Sequence, residues 1–235
     1  MPGRGWGNGV VGLTISRKEF ILLRHILITT CLFVGMSTAW SSEPGHALYD
    51  HEDPAAFYLQ APPGGKAGLR KAINASLQRD PRNVAALVQR AYDFKDRGDL
   101  PRAVRDFDAA LTAAEPGSAN ERHVLWSRGW VHYDLGDAAA ALRDWQRAAE
   151  LHKGRPRWVT YSYALAYGTM GQMGQAIGWY DAAVAAMPEW GSEAGFAERT
   201  KHWRDAQRSE LRVVFEAWQV NVAAGTSSVP AQAAD

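Results

Sequence analysis

RAYDFKDRGDLPRAVRDFDAA, residues 90–110, returns as RGWVHYDLGDAAAALRDWQRA over 128–148 and as YALAYGTMGQMGQAIGWYDAA over 163–183. The three copies align without a gap, at steps of 38 and then 35 residues. Gly98, Gly136 and Gly171 share one position, as do Ala91, Gly129 and Ala164 before it. Ala103, Ala141 and Ala176 follow the glycine, and then come Phe107, Trp145 and Tyr180, with Ala110, Ala148 and Ala183 closing each copy. Physics explains the spacing. A helix that ends and reverses favours a residue free to take positive φ. Small residues on either side of that turn let two helices approach, and the aromatic fills the gap beyond them. One such hairpin cannot bury its own apolar face, so copies must stack and share a core.

This pattern resembles the tetratricopeptide repeat, a helix–turn–helix unit of about 34 residues. The resemblance implies an all-α fold, a right-handed superhelical stack of about three full units with capping helices. Their bounds are 84–117, 122–155 and 157–190. Arg90 and Arg128 stand where the family consensus has Leu, opposite Asp106 and Asp144. In the third copy both members change together, to Tyr163 and Trp179. That resembles the Arg-Gly/Asp subclass of exported bacterial type. It predicts ion pairs Arg90–Asp106 and Arg128–Asp144 within their units, and an aromatic contact in place of the third.

Outward from the repeats, Lys66 to Arg79 reads as an amphipathic helix ending in Asp80-Pro81, a half-repeat capping helix over 66–83. Beyond Trp190-Gly191 the pattern stops and Ser192 is a good N-cap. Phe196, Trp203, Leu211, Val214, Phe215, Trp218 and Val222 then form an apolar stripe, a C-terminal capping helix or hairpin over 191–224. Residues 225–235 read as a disordered tail. Residues 42–65 read as a flexible arm, in which His46, His51, Glu52 and Asp53 match no metal-ligand spacing and are expected in solvent. Phe57, Tyr58 and Leu59 in that arm are apolar enough to fold back as a lid.

Residues 1–41 read as an export signal: Arg17, Lys18 and Arg24, an apolar run from Ile26 to Met36, and Ala39-Trp40-Ser41 as a small-x-small site, with cleavage after Ser41. Lys18 stands where a twin-arginine signal has its second Arg, so general secretion is the expected route. The expected location is periplasmic or secreted, with no stable membrane span after removal. Removal takes away four basic residues and one acidic, leaving 22 basic against 24 acidic, and the single cysteine, Cys31. The mature chain then has no disulfide and no thiol nucleophile. Its balance gives no electrostatic case for nucleic acid.

Chemistry is sought in the groove. In tetratricopeptide arrays the first helices line a concave face. The resemblance places Tyr92 and Lys95 there from unit one, with Ala85 and Val88. It places His123, Trp126, Trp130, Tyr133 and Asp134 there from unit two. Unit three contributes Trp158 and Tyr161, with Leu165 and Thr169. An exposed aromatic face of this kind suits partner binding. Val88, Tyr92, Trp126 and Trp130 occupy the positions where chaperone-binding members carry their carboxylate clamp, so that activity is not expected. No His-Glu metal motif, nucleophile elbow or phosphate loop appears. The expectation is therefore a non-catalytic scaffold of the cell envelope, without cofactor or metal, binding a segment of another envelope protein. The alternative is an envelope glycan-binding protein using the same aromatic face.

Overall fold

A computed structural model describes residues 48–57 and 65–226 of the chain. The export signal, His46, Tyr58, Leu59 and the tail from 227 lie outside the described residues. Among those described the regular structure is helical: α1 (Gly65–Arg79), α2 (Val84–Asp96), α3 (Leu100–Ala113), α4 (Ala119–Asp134), α5 (Ala138–His152), α6 (Trp158–Thr169) and α7 (Met173–Ala186). A 3-10 turn at Pro188–Gly191 leads to α8 (Glu193–Thr200) and α9 (Asp205–Ala223). The C-terminal stripe is thus two helices, broken at residues 201–204.

Side chains begin most of the repeat helices. Asn83, Asp99, Ser118 and Asp137 each accept a hydrogen bond from a backbone N–H in the first turn of α2, α3, α4 and α5. Such a cap contributes about 1 kcal/mol. The helices α6 and α7 have no side-chain cap. At the reversals Gly98, Gly136 and Gly171 have φ of 77°, 85° and 74°, the left-handed conformation that the repeated glycine requires.

Three hairpins, α2–α3, α4–α5 and α6–α7, stack in order, with α3 against α4 and α5 against α6. Small residues sit at the tightest approaches. Ala91, Ala103, Ala141, Ala164 and Ala176 are fully buried, and a Cβ at Gly129 would collide with the Trp145 indole. Phe107, Trp145 and Tyr180 fill the space beyond, all fully buried. The helix α4 divides the core. Val124 and Val131 face the first hairpin, and Leu125, Trp126, Trp130 and Tyr133 face the larger cluster that runs to α9.

The expected ion pairs form with two-point geometry. Arg90 Nε and Nη2 reach Asp106 at 2.6 and 2.9 Å. Arg128 reaches Asp144 at 2.8 and 2.6 Å, and a third nitrogen binds Asp108 of α3 at 2.6 Å. Arg128 therefore ties two hairpins together as well as its own. In the third hairpin Tyr163 and Trp179 meet edge to face at 4.9 Å between ring centroids. The helix α9 closes the stack against α6 and α7 with Leu211, Val214, Phe215 and Trp218. Trp218 Nε1 donates to Asp181 at 2.9 Å.

Candidate functional site: the face of the first helices

The first helices α2, α4 and α6 carry every residue expected to line a groove, and their common face is not open. Trp126, Trp130 and Trp158 are 4%, 2% and 4% exposed, and Tyr92, Lys95, His123 and Tyr133 are also buried. Tyr161 is half-buried, and the Asp134 carboxylate is 2% exposed. Val88 and Leu165 lie in the core; Ala85 and Thr169 are exposed. The expectation of an exposed aromatic groove is corrected, for two reasons. Trp126 and Trp130 pack into their own hairpin, where Trp130 meets Trp145 at 4.9 Å and Trp145 Nε1 donates to the Trp126 carbonyl. What they leave uncovered is covered by the chain itself, from two directions.

Residues 48–57 lie across the N-terminal ends of α4 and α6. They dock as a segment that runs without regular structure to Asp53 and then turns over Pro54–Ala56, where the Ala56 N–H donates to the Asp53 carbonyl. His51 and Glu52 stay exposed as expected, and the reading of Asp53 as solvated is corrected. Its side chain is 0% exposed. The carboxylate accepts from Arg122 Nε at 3.0 Å, Trp158 Nε1 at 3.1 Å and its own Ala55 N–H at 3.0 Å. Three good donors offset the cost of burying this charge. Backbone groups are read on both sides. The His51 N–H donates to the Arg155 carbonyl at 3.2 Å, and the Arg157 N–H to the His51 carbonyl at 3.1 Å, a parallel bridge to Pro156. His152 Nε2 donates to the Glu52 carbonyl at 3.2 Å and His123 Nδ1 to the Ala55 carbonyl at 2.7 Å. Phe57 stacks on the His123 ring at 4.8 Å, and Tyr49 meets the edge of Trp179 at 5.5 Å. Of the apolar patch proposed as a lid, Phe57 covers His123 while remaining 46% exposed itself.

The α8–α9 segment covers the other end. Trp203 sits over Trp130 at 5.2 Å and Tyr161 at 5.8 Å. Beside it, Asp134 is enclosed by charge: Arg204 Nε at 3.3 Å, Lys95 Nζ at 3.9 Å and a hydrogen bond from Gln207 Nε2 at 2.6 Å. Gln207 completes the joint by accepting from the Arg204 N–H through Oε1. Burial lowers the Lys95 pKa, with Asp134 acting against it. Burial raises Tyr133 to about 12, opposed by its hydrogen bond with Thr169, so its hydroxyl stays protonated. No group of three or more His, Cys, Asp or Glu able to hold a metal is found among the described residues.

Repeat periodicity placed the face and missed its covering. Asp53, Arg204 and Gln207 lie outside the repeats, so no register assigns them a role, and Trp203 reads only as part of the C-terminal apolar stripe. The one available signal was a Trp followed by Arg in a polar stretch, too common to read. Between the two covers lies a pocket of about 150 Å³, lined by arm residues, Arg157, Tyr161 and Arg199.

None of the described helices is long and apolar enough to cross a membrane. No protein-family model matches the chain, and no curated protein matches it either. Among solved structures the chain is similar to a crystal structure of MamA, with a TM-score of 0.48 and 18% identity over 71% of this chain and 98% of that one. A second structure, of MamA protein, has a TM-score of 0.46 and 21% identity over 70% of this chain and 90% of that one.

Proposed function

We propose that this chain is a non-catalytic interaction module whose recognition face, formed by α2, α4 and α6, is held closed by its own residues 48–57 until a partner segment displaces them. The docked arm is the observation that carries this. It is a peptide segment bound by backbone hydrogen bonds, one buried carboxylate and two ring contacts, which is how a peptide-binding face engages a ligand. The reading includes membership of the tetratricopeptide family, supported by the turn glycines at positive φ and the Arg–Asp clamps. Its envelope location rests on the sequence of residues 1–41 alone, and N-terminal mass determination of exported protein tests cleavage after Ser41.

Glycan binding loses its motive, because stacking on sugar needs exposed rings and the indoles of the face are buried. Trp126 and Trp130 are unsuitable probes, since truncating them would remove core. The arm is the right lever. Full-length Asp53→Lys places a cation beside Arg122 and releases the arm. The released form should retain, in side-by-side capture from an envelope extract, a defined partner that the unaltered chain holds weakly. A folded Asp53→Lys protein that retains nothing more than the unaltered chain would refute displacement.

A further inference from the structure

We infer that the face selects partner segments of one chemical class: a peptide that turns after an Asp buried as its anchor, with a small residue two positions later and an aromatic two beyond that. The inference rests on the interaction-module reading above and specifies its ligand. The anchor site is built. Arg122 Nε and Trp158 Nε1 point at one carboxylate whose side chain has no exposure. An amide in that place would set its own NH₂ donors against Arg122 or the indole. Two residues on, the Ala55 carbonyl is fixed by His123 Nδ1, and the Ala55 side chain is 5% exposed, so a larger one meets the wall. Four residues on from Asp53, Phe57 lies on the His123 ring with an interplanar angle of 23°. Backbone contacts at His51 and Glu52 fix direction and register, and their exposed side chains add bonds to the Arg155 N–H and the Arg157 guanidinium.

The intermediate position shows how a partner can win. Ala56 borders the unfilled pocket of about 150 Å³, whose other walls include Arg157, Trp158, Tyr161, Met187 and Arg199. His51, Glu52 and Asp53 of the arm also line it, and at position 56 the arm contributes only a methyl group. The arm already engages Arg157 through the Glu52 carboxylate at 2.6 Å, whereas Arg199 on the far wall pairs with Glu189. A partner with a longer polar side chain at that position fills the pocket and adds a contact to Arg199. A second copy of this chain has no such advantage. Its arm offers the same contacts and competes against a tethered one at an effective concentration of about millimolar. The ligand is therefore a segment of a different protein.

The test uses full-length chain opened by Asp53→Lys, with a second opened form, His51→Pro, which removes the N–H that bonds Arg155. The probe is a fluorescein-labelled peptide of residues 48–57. It should bind both opened forms one to one, and the unaltered chain about tenfold more weakly or worse. Replacing its Asp53 equivalent by Asn should weaken binding to the opened forms about tenfold or more, because Arg122 is left buried and unpaired. Adding Arg122→Ala to the receptor should erase that difference. Changing the Ala56 equivalent to Gln should tighten binding several-fold, on the order of one hydrogen bond to a charged group. If the Asn and Asp peptides bind equally, the acid anchor is wrong while the interaction face stands. If neither folded, opened form binds any peptide, the interaction reading fails as well. Sedimentation showing unaltered chains joined by exchange of their arms would overturn the assignment to a different protein.

Discussion

His123 donates from Nδ1 to the Ala55 carbonyl, so its neutral ring leaves Nε2 buried without a partner. Burial lowers its pKa from 6.5, and the Ala55 and Asp53 oxygens oppose that in part; Arg122, Tyr92 and Phe57 complete its surroundings. A histidine kept neutral by docking contributes its full stabilisation above about pH 6.5 and loses it as pH falls below. The arm should therefore loosen as pH falls below about 6.5, read as a smaller protection factor of the Arg157 amide against its free-peptide rate at the same pH; an unchanged protection factor would contradict the assignment. At the same scale, Gly129→Val drives two methyl groups into Trp145 and should lower stability by about 1–3 kcal/mol in urea unfolding. These residues differ in how they reveal themselves. Gly129 and Trp145 were legible because each recurs in three registers. His123 was legible as a position on the face, but its partner Ala55 lies in a segment without periodicity.

Among elements, the helices follow from the repeat, and the clamps between them follow from two positions changing together. Arg90 and Asp106 form a closed pair, with the carboxylate buried and the guanidinium about one-third exposed. Removing Arg90 alone should cost about 1–3 kcal/mol, because the carboxylate stays behind uncompensated and water reaches only part of the site. Changing both, Arg90→Leu with Asp106→Leu, should recover most of that loss in denaturant midpoint, as the third hairpin does with Tyr163 and Trp179. A double variant as unstable as the single one would show that the charges are needed for more than each other. The C-terminal closure was less legible. Its apolar stripe reads correctly, but one helix with a kink and two helices with a Trp203 joint have the same periodicity. The deciding contacts, Arg204 and Gln207 on Asp134, join residues about seventy apart in sequence. Asp134→Ala should leave Lys95 buried beside Arg204 and should unseat α8 and α9. Circular dichroism and denaturant unfolding would register this as a loss of about 3–5 kcal/mol.

At the scale of the molecule, two segments that carry no repeat complete a surface the repeats make. The arm closes the N-terminal ends of α4 and α6, and the α8–α9 joint closes the C-terminal ends of α2 and α4. Sequence reasoning places the aromatic side chains on the first helices and, by analogy with tetratricopeptide grooves, treats their common face as solvent-exposed. What overrode the analogy was the energetics of the uncovered indoles: a face with Trp126, Trp130, Trp158 and Tyr161 exposes enough apolar surface to hold any nearby segment with matching polar groups. The central claim is that residues 48–57 occupy this face in the free protein. Amide hydrogen exchange of the unaltered full-length chain at pH 7.5 tests it most directly. The account predicts that His51 and Arg157 amides are protected together and that Asp53→Lys releases both, while core amides of α4 keep their protection. His51 and Arg157 amides exchanging at free-peptide rates in the unaltered chain would contradict it.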